Sequence, residues 1–485
     1  MLIIKGSENL KSLPMIHIFN TPKFDYIYDF NSNAILRVNK QICVDIKNYL
    51  NTGELIYSNE QSRKEIENLF AMGFLKNQRW QKIEHPSIPL LNKYLNSSIS
   101  SLTLQVTQNC NLRCEYCPYS GGYNNRKHTN KKMDIETAKK AVDFYIKHSF
   151  DLPNINVSFY GGEPLIEFSL IKEIVKYTKA KGFGKIIKFR MTTNATLMNE
   201  EIIRFLVEND FNITISLDGP KEIHDKHRRT ISNKGTYDII VKKIEYINRN
   251  FPEFINNILI NCVIDPSIDF GCLSDYFSNY DEVREYMTNF SNIAREEIKD
   301  ESEFLASDIY MQNYNFELFK LFMYKLNRIG KEQVSKIVQS YYSHMINVLS
   351  ERSIAISDSK NCHPGGPCIP GSHKLFVDIY GTFYPCEKLN ECSNDVIIGN
   401  LKDGFNYDNA EKLLNIGKIT ESSCKNCWCS KFCYLCVLYS EDNGKISQEK
   451  RTSYCESVKK GTENLFMDYC LIKEMNKYED SIFFV

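Results

Sequence analysis

Leu102-Thr-Leu-Gln-Val-Thr-Gln-Asn-Cys-Asn-Leu-Arg-Cys-Glu-Tyr-Cys-Pro118 is the stretch from which the rest of the chain is read. Residues 102–106 have the apolar and β-branched content of a strand, and the strand ends just before a loop carrying Cys110, Cys114 and Cys117 in C-x3-C-x2-C spacing. A [4Fe-4S] cluster usually takes four cysteines. Three thiolates hold three irons and leave the last as a Lewis-acid site able to chelate a substrate. The competing reading is a zinc knuckle, which wants four Cys or His ligands; the nearest later candidate is His128.

Downstream, strand and helix alternate from about residue 96 to 265. Ala138, Ala141, Val142, Tyr145 and Ile146 mark an amphipathic helix, and 156–159 reads as a second strand. Leu170, Ile171, Ile174 and Val175 mark the next helix, and 186–192 a third strand. A helix capped by Asn199 follows, then a strand at 213–216, a helix at 237–250 and a strand at 258–263. Repeated βα units imply a parallel sheet with ligands at the carboxyl ends of its strands. The short motifs fall at those ends: Tyr160-Gly-Gly-Glu-Pro164 after the second strand, Thr192-Thr-Asn194 after the third, and Ser216-Leu-Asp-Gly219 after the fourth.

Together these residues resemble the radical S-adenosylmethionine (SAM) enzymes. The resemblance implies a partial (βα)6 barrel, a [4Fe-4S] cluster on Cys110, Cys114 and Cys117, and SAM chelated at the open iron, where one electron cleaves it to a 5′-deoxyadenosyl radical. It places Tyr116 beside the adenine, Gly161, Gly162 and Glu163 near the SAM amino group, and Asn194 and Ser216 at the ribose and methionyl part. Arg228, in preference to Arg229, is the candidate for pairing the SAM carboxylate bidentately. Asp218 and His224 read equally as caps or ligands.

A second cysteine set lies near the C-terminus: Cys362-x5-Cys368, Gly381-x4-Cys386, Cys424-x2-Cys427-x5-Cys433-x2-Cys436, and Cys455. It resembles the SPASM extension, which holds two auxiliary [4Fe-4S] clusters in peptide-modifying radical SAM enzymes. The resemblance assigns Cys362, Cys368, Cys386 and Cys436 to the first auxiliary cluster, and Cys424, Cys427, Cys433 and Cys455 to the second. Most relatives have three residues between the last two cysteines of the dense run where this chain has two, so Cys429 and Cys392 stay open as substitutes for Cys436. If one ligand is missing, the first auxiliary cluster has an iron open to a substrate thiolate. Two zinc ribbons are the competing reading, since thiolates suit both metals. Glu387 follows Cys386, where related sulfatase-maturing enzymes use an Asp to take the substrate proton; it is the candidate catalytic residue, against a solvated surface glutamate. Cys43, Cys262, Cys272 and Cys470 read as small buried hydrophobes.

Ahead of the barrel, 26–29 and 34–38 read as strands about the turn Asn31-Ser-Asn33. Ile42, Cys43, Ile46, Tyr49 and Leu50 mark one helix, and Ile66, Leu69 and Phe70 another that stops at Gly73. This winged-helix-like module resembles the peptide-recognition element of ribosomal-peptide maturases, in which a sheet edge takes a leader peptide as an added strand. The alternatives are a DNA-binding winged helix and a packing extension. Residues 275–350, with a stripe at Phe316, Phe319, Lys320 and Met323, read as bridging helices or a lid.

Lys+Arg and Asp+Glu both number 60 in 485 residues, which argues against partners held by bulk charge, nucleic acid and membrane surfaces included. No apolar run approaches the ~18 residues a membrane span needs, and the start does not read as a secretory signal. A cytoplasmic location follows, and there 17 cysteines point to metal rather than disulfides. The expected architecture is α/β: a leader-binding module at 1–95, the barrel at 96–275, bridging helices at 276–350 and a SPASM domain at 351–485. The expected activity is radical SAM thioether formation in a ribosomally made, Cys-rich precursor peptide, with SAM, three [4Fe-4S] clusters and an electron donor such as flavodoxin or ferredoxin. Carbon–carbon peptide cyclisation and sulfatase (formylglycine) maturation are the enzymatic alternatives; a zinc-stabilised winged-helix regulator is the non-enzymatic one.

Overall fold

The computed structural model describes residues 3–4, 13–124, 126–296, 298–300, 304–350, 361–366 and 368–475. The first sheet is antiparallel, built from β1 (Ile16–Asn20), β2 (Asp25–Asp29) and β3 (Ala34–Val38). Asn33 turns β2 into β3 at a φ of 59°, the left-handed conformation that asparagine tolerates. The buried Asp29 carboxylate fastens the turn, accepting from the Ser32 N–H at 2.8 Å and the Leu75 N–H at 2.8 Å. Two helices follow, α1 (Lys40–Thr52) and α2 (Glu60–Ala71), with Asn39 and Asn59 as their N-caps. One face of this unit has its own core of Ile27, Leu36, Ile42, Ile46, Ile66 and Leu69.

The other face is shared. Phe19 and Tyr28 pack on Phe466 of the C-terminal helix Cys455–Met475, and His17 stacks on Trp428 with ring centroids 3.8 Å apart. The Trp80 indole donates to Ser430 Oγ at 3.1 Å, and the two-residue strand Lys82–Ile83 pairs with Asn361–Cys362. Residues 13–95 therefore close over the C-terminal cysteine region. They are not an appended tail.

The central sheet follows sequence order: β4 (Ser101–Thr107), β5 (Asn154–Gly161), β6 (Ile186–Thr193), β7 (Phe211–Ser216), β8 (Ile258–Ile264) and β9 (Met287–Asn292), all parallel. The helices α3 (Ile135–Lys147), α4 (Phe168–Lys181), α5 (Glu200–Glu208) and α6 (Tyr237–Asn250) intervene. Asn199 caps α5 as read from the sequence, its Oδ1 accepting the Ile202 N–H at 2.9 Å. This is the parallel α/β arrangement that alternating βα units imply.

One reading is corrected. The strand β9 lies inside the stretch read as bridging helices; it is an edge strand with polar, half-exposed residues, so no apolar pattern announces it. In α7 (Asp308–Lys325) the stripe of Phe316 and Phe319 faces outward, 58% and 55% exposed, while Glu317 and Leu321 are the buried pair.

On the far side of β4, β10 (Leu375–Val377) joins the sheet in parallel, with Leu375 opposite Leu102. The strands β11 (Thr382–Tyr384), β12 (Gly399–Asn400) and β13 (Gly404–Phe405) continue it antiparallel. One core runs through both parts, with Leu104 and Phe159 in the same cluster as Phe376, Phe383 and Leu413. No helix among the described residues is long and apolar enough to cross a membrane.

Candidate active site

The cysteine loop leaves the carboxyl end of β4 and is held by a second segment running antiparallel to it. The Arg113 N–H donates to the Arg229 carbonyl at 2.8 Å, and the Glu115 N–H to the His227 carbonyl at 3.2 Å. Cys110 and Cys114 are buried, and with Cys117 they share one cluster with Leu112, Tyr116 and Ile293. Burial pushes the Cys110 thiol up to about 12 and the Cys114 thiol up to about 11. Buried thiols in that state are inert until a cation draws off their protons, which a coordinated metal does outright.

The paired glycines admit close backbone approach. A Cβ on Gly161, whose φ is 140°, would stand 2.0 Å from the Thr107 carbonyl oxygen, and one on Gly162 would stand 2.1 Å from that of Asn109. The Gly162 and Glu163 N–H groups donate to those same two oxygens at 3.0 and 2.9 Å. The end of β5 is thus laid directly on the start of the cysteine loop.

Glu163 is 1% exposed and its carboxylate is fully engaged. It accepts from the Leu165 N–H at 3.1 Å, Thr193 Oγ1 at 2.7 Å and the Asn194 N–H at 2.7 Å. Burial raises its pKa, against these donors. Its side chain positions the end of β6. Asn194 Nδ2 in turn donates to Asn111 Oδ1 at 2.9 Å and lies 3.8 Å from Cys110 Sγ.

Tyr116, Asp218 and Arg228 form a buried triad. The tyrosine hydroxyl donates to the Asp218 carboxylate and accepts from Arg228 Nη1 at 2.7 Å, while Asp218 Oδ1 accepts the Val263 N–H at 3.0 Å. Arg228 Nε is buried without a hydrogen-bond partner among the described residues. Arg229 lies outside, donating to the Asp225 carbonyl and Asn233. Ser216 is buried at the end of β7. His224 is a brace, accepting the Asp218 N–H at 3.3 Å and bonding Thr236 Oγ1 at 3.0 Å; burial holds its pKa well below the ordinary value.

Four functional candidates escaped sequence reading. Arg126 is buried and donates to the carbonyls of Glu387 and Leu389, with its Nε 3.4 Å from Glu391. Glu391 accepts from Gln105 Nε2 at 2.7 Å and the Tyr119 hydroxyl at 2.9 Å. Glu387 itself is not a free surface glutamate: Lys374 Nζ lies 2.8 Å from both of its oxygens, and its side chain is 18% exposed.

Residues 104–266, the strand, the cysteine loop and the motif-bearing strand ends just described, match the Radical SAM superfamily. The chain carries a radical SAM domain and is an enzyme. Its cofactors are SAM and [4Fe-4S] clusters, and the buried thiols at the mouth of the sheet fit the first of these sites. The radical SAM chain is 26% identical over 372 residues to the cysteine-type anaerobic sulfatase-maturating enzyme of Clostridium novyi (strain NT), covering 75% of this chain and 94% of that one. It is 22% identical over 437 residues to the radical SAM cyclopropyl synthase TigE of Paramaledivibacter caminithermalis, covering 86% and 83%. The solved structure of native anSMEcpe with bound AdoMet superposes with a TM-score of 0.58 at 20% identity, over 78% of this chain and 99% of that one, a likeness of fold.

In the C-terminal region of the radical SAM enzyme, Cys424, Cys427, Cys433 and Cys455 line one cavity of about 280 Å³. That wall of four thiols fits a cluster, although no three of the described Cys, His, Asp and Glu side chains converge as a single metal ion would require. Cys429, on the same wall, is 1% exposed and spends its thiol on Thr462 Oγ1 at 3.2 Å. Cys436 is half-buried, within electrostatic reach of Cys368 and Cys386. Cys362 is half-buried, and burial pushes its thiol up to about 11. Cys392 is exposed, beside Tyr384. Cys43, Cys262 and Cys470 are buried as read, but Cys272 is exposed against Asp269.

Proposed function

We propose that this radical SAM enzyme matures a ribosomally made, cysteine-rich precursor peptide, joining a cysteine sulfur to the Cα or Cβ carbon of an acceptor residue. The observation that carries peptide recognition is a groove of about 450 Å³ between β3 and α2, lined by Phe24, Arg37, Val38, Asn68, Leu69 and Met72. It lies beside the outer edge of β3, which among the described residues pairs with β2 alone. An extended leader peptide added there gains backbone hydrogen bonds from the edge and side-chain pockets from the groove.

When bound, SAM and its cluster supply a hydrogen-abstracting adenosyl group, and the auxiliary clusters supply an electron acceptor. The acceptor carbon gives up a hydrogen atom, the peptide thiol gives up a proton, the S–C bond forms, and the surplus electron leaves to an auxiliary cluster. A flavodoxin or ferredoxin supplies the electron that starts each turnover. Cys110, Cys114 and Cys117 are the ligands at the barrel mouth, with Tyr116, Asn194, Ser216 and Arg228 around the SAM site. Gly161, Gly162 and Glu163 hold its walls. The second auxiliary cluster takes Cys424, Cys427, Cys433 and Cys455. Cys362, Cys368, Cys386 and Cys436 serve the first, which has an iron open to the substrate thiolate if one of these ligands is missing.

A second reading, oxidation of a single peptide cysteine to formylglycine, draws support from the similarity to sulfatase-maturating enzymes; the Lys374-bound Glu387 then stands where those enzymes take a proton. Mass spectrometry separates the readings. A thioether removes two hydrogens and one alkylatable thiol per crosslink, a carbon–carbon crosslink removes two hydrogens and leaves every thiol alkylatable, and formylglycine replaces the sulfur with an aldehyde. Removal of residues 1–95 would strip a shared core, so recognition is tested in the groove. Met72→Glu and Asn68→Trp should leave peptide-independent SAM cleavage intact and raise the peptide KM at least tenfold; an unchanged KM in both defeats the leader-binding role.

A further inference from the structure

The largest fully buried side chain among the described residues is a cation, Arg451, 1% exposed in the short helix Gln448–Ser453. Its donors all end on neutral oxygens. Nη2 donates to the Pro364 carbonyl at 2.8 Å, Nη1 to the carbonyls of Leu435 and Cys436 and to Ser440 Oγ, and Nε to Thr420 Oγ1 at 3.3 Å. Among the described residues, no carboxylate pairs with it. A buried guanidinium is strongly disfavoured without a counter-charge, and satisfying its N–H groups does not cancel its charge. The neighbouring Lys459 shows the contrast: it is half-exposed and bonds Glu456 at 2.7 Å.

The missing negative charge has a definite location. Arg451 lines the 280 Å³ cavity with Cys424, Cys427, Cys433 and Cys455. On its other side it holds the backbone of Cys436, which belongs to the other cysteine group. Four thiolates around a [4Fe-4S] core leave net negative charge, and that charge grows when the cluster takes an electron. We propose that Arg451 is the shared internal counter-charge of the two auxiliary clusters, fixing their reduction potentials high enough to accept the electron released by peptide oxidation. This rests on the reading of the C-terminal cysteines as cluster ligands. The physical lever is net charge close to a cluster in a low-dielectric interior, a main determinant of cluster potential.

The test uses the full-length, anaerobically reconstituted enzyme and its Arg451→Gln and Arg451→Lys variants, followed by iron analysis and EPR-monitored redox titration. The Gln variant removes charge and keeps part of the hydrogen bonding; the Lys variant keeps charge and loses the fork. The expected result is an auxiliary midpoint moved to more negative potential in Arg451→Gln, near wild type in Arg451→Lys, with the SAM-binding cluster unmoved in both. Should Arg451→Gln lose auxiliary iron, retention of iron and potential by Arg451→Lys still supports the charge role. Equal potentials in fully loaded wild type and Arg451→Gln overturn it. So does loss of auxiliary iron from both variants, which would make Arg451 a hydrogen-bonding tie. A wild-type protein that loads only about four irons instead of about twelve removes the auxiliary clusters and this role together, whereas an unmoved potential at full loading removes the role alone.

Discussion

Arg126 Nη2 donates to the carbonyl oxygen of Glu387 at 2.5 Å, so the loop that follows the SAM-cluster cysteines grips the residue next to Cys386. The same guanidinium faces Glu391 and lies over the Tyr119 ring, its centre 5.3 Å from the ring centroid. Replacing it with methionine leaves the mostly buried Glu391 carboxylate without its cation. The expected cost is about 3–5 kcal/mol of stability, read by anaerobic denaturant titration. Arg126→Lys keeps a cation but not the fork that spans both carbonyls. It should fold, cleave SAM, and release more deoxyadenosine per peptide modified, because the Cys386 segment is no longer held against the barrel mouth.

Gly162→Ala should damage the first cluster more than the fold. Its Cβ would overlap the Asn109 carbonyl oxygen, which is backbone and has no rotamer to escape into. The cysteine loop must move, and iron content should fall by about four per chain. Thermal unfolding of the rest should shift by only a few degrees. A fully loaded Gly162→Ala protein would show that the two backbones have slack.

Glu163→Gln presents an NH2 group where the carboxylate now accepts from Asn194 N–H, Thr193 and Leu165. At least one of these charge-assisted bonds is lost, each worth about 1.5–3 kcal/mol. SAM should bind about 10–100-fold more weakly, by equilibrium dialysis, while peptide KM stays constant. The split matters because Glu163 is buried and acts through the end of β6.

Much of this organisation is legible in sequence because burial is periodic. Strands β4 to β8 and their helices announce themselves through Leu104, Val157, Phe189, Ile213 and Ile260, all essentially inaccessible. The strand β9 does not, because an edge strand facing solvent has no reason to be apolar. Cysteine spacing locates the clusters, since chelation by a loop is local. The Arg126–Glu391 and Arg451 contacts are illegible for the opposite reason: Arg126 sits among polar residues and meets partners from the far end of the chain. The outward Phe316 and Phe319 show the limit of reading a stripe without knowing which side is covered.

The pH dependence of the cysteine loop should follow His227. Both ring nitrogens lie 2.8 Å from carboxylates, Nδ1 from Glu115 and Nε2 from Asp265. Only the imidazolium can donate to both. Burial opposes that charge, but the hydrogen bonds to Asp265 and Glu115 outweigh it, and the net shift is upward from 6.5. A group with a raised folded-state pKa contributes its full stability below its unfolded pKa and loses that contribution as pH rises through the folded value. Asp265 is shifted the other way: burial opposes the shift, yet the hydrogen bonds from His227 and Ser267 hold it well below the usual carboxylate range, so its contribution persists until strongly acid pH. The stability that His227 contributes, read from unfolding, should therefore be complete below about pH 6.5 and be lost on the alkaline side, by about 1–3 kcal/mol. His227→Gln should be less stable at pH 6 and flat across that window. A wild-type profile that instead rises from pH 6 to 9 would mean the ring is neutral in the folded chain and the doubly bonded imidazolium does not form.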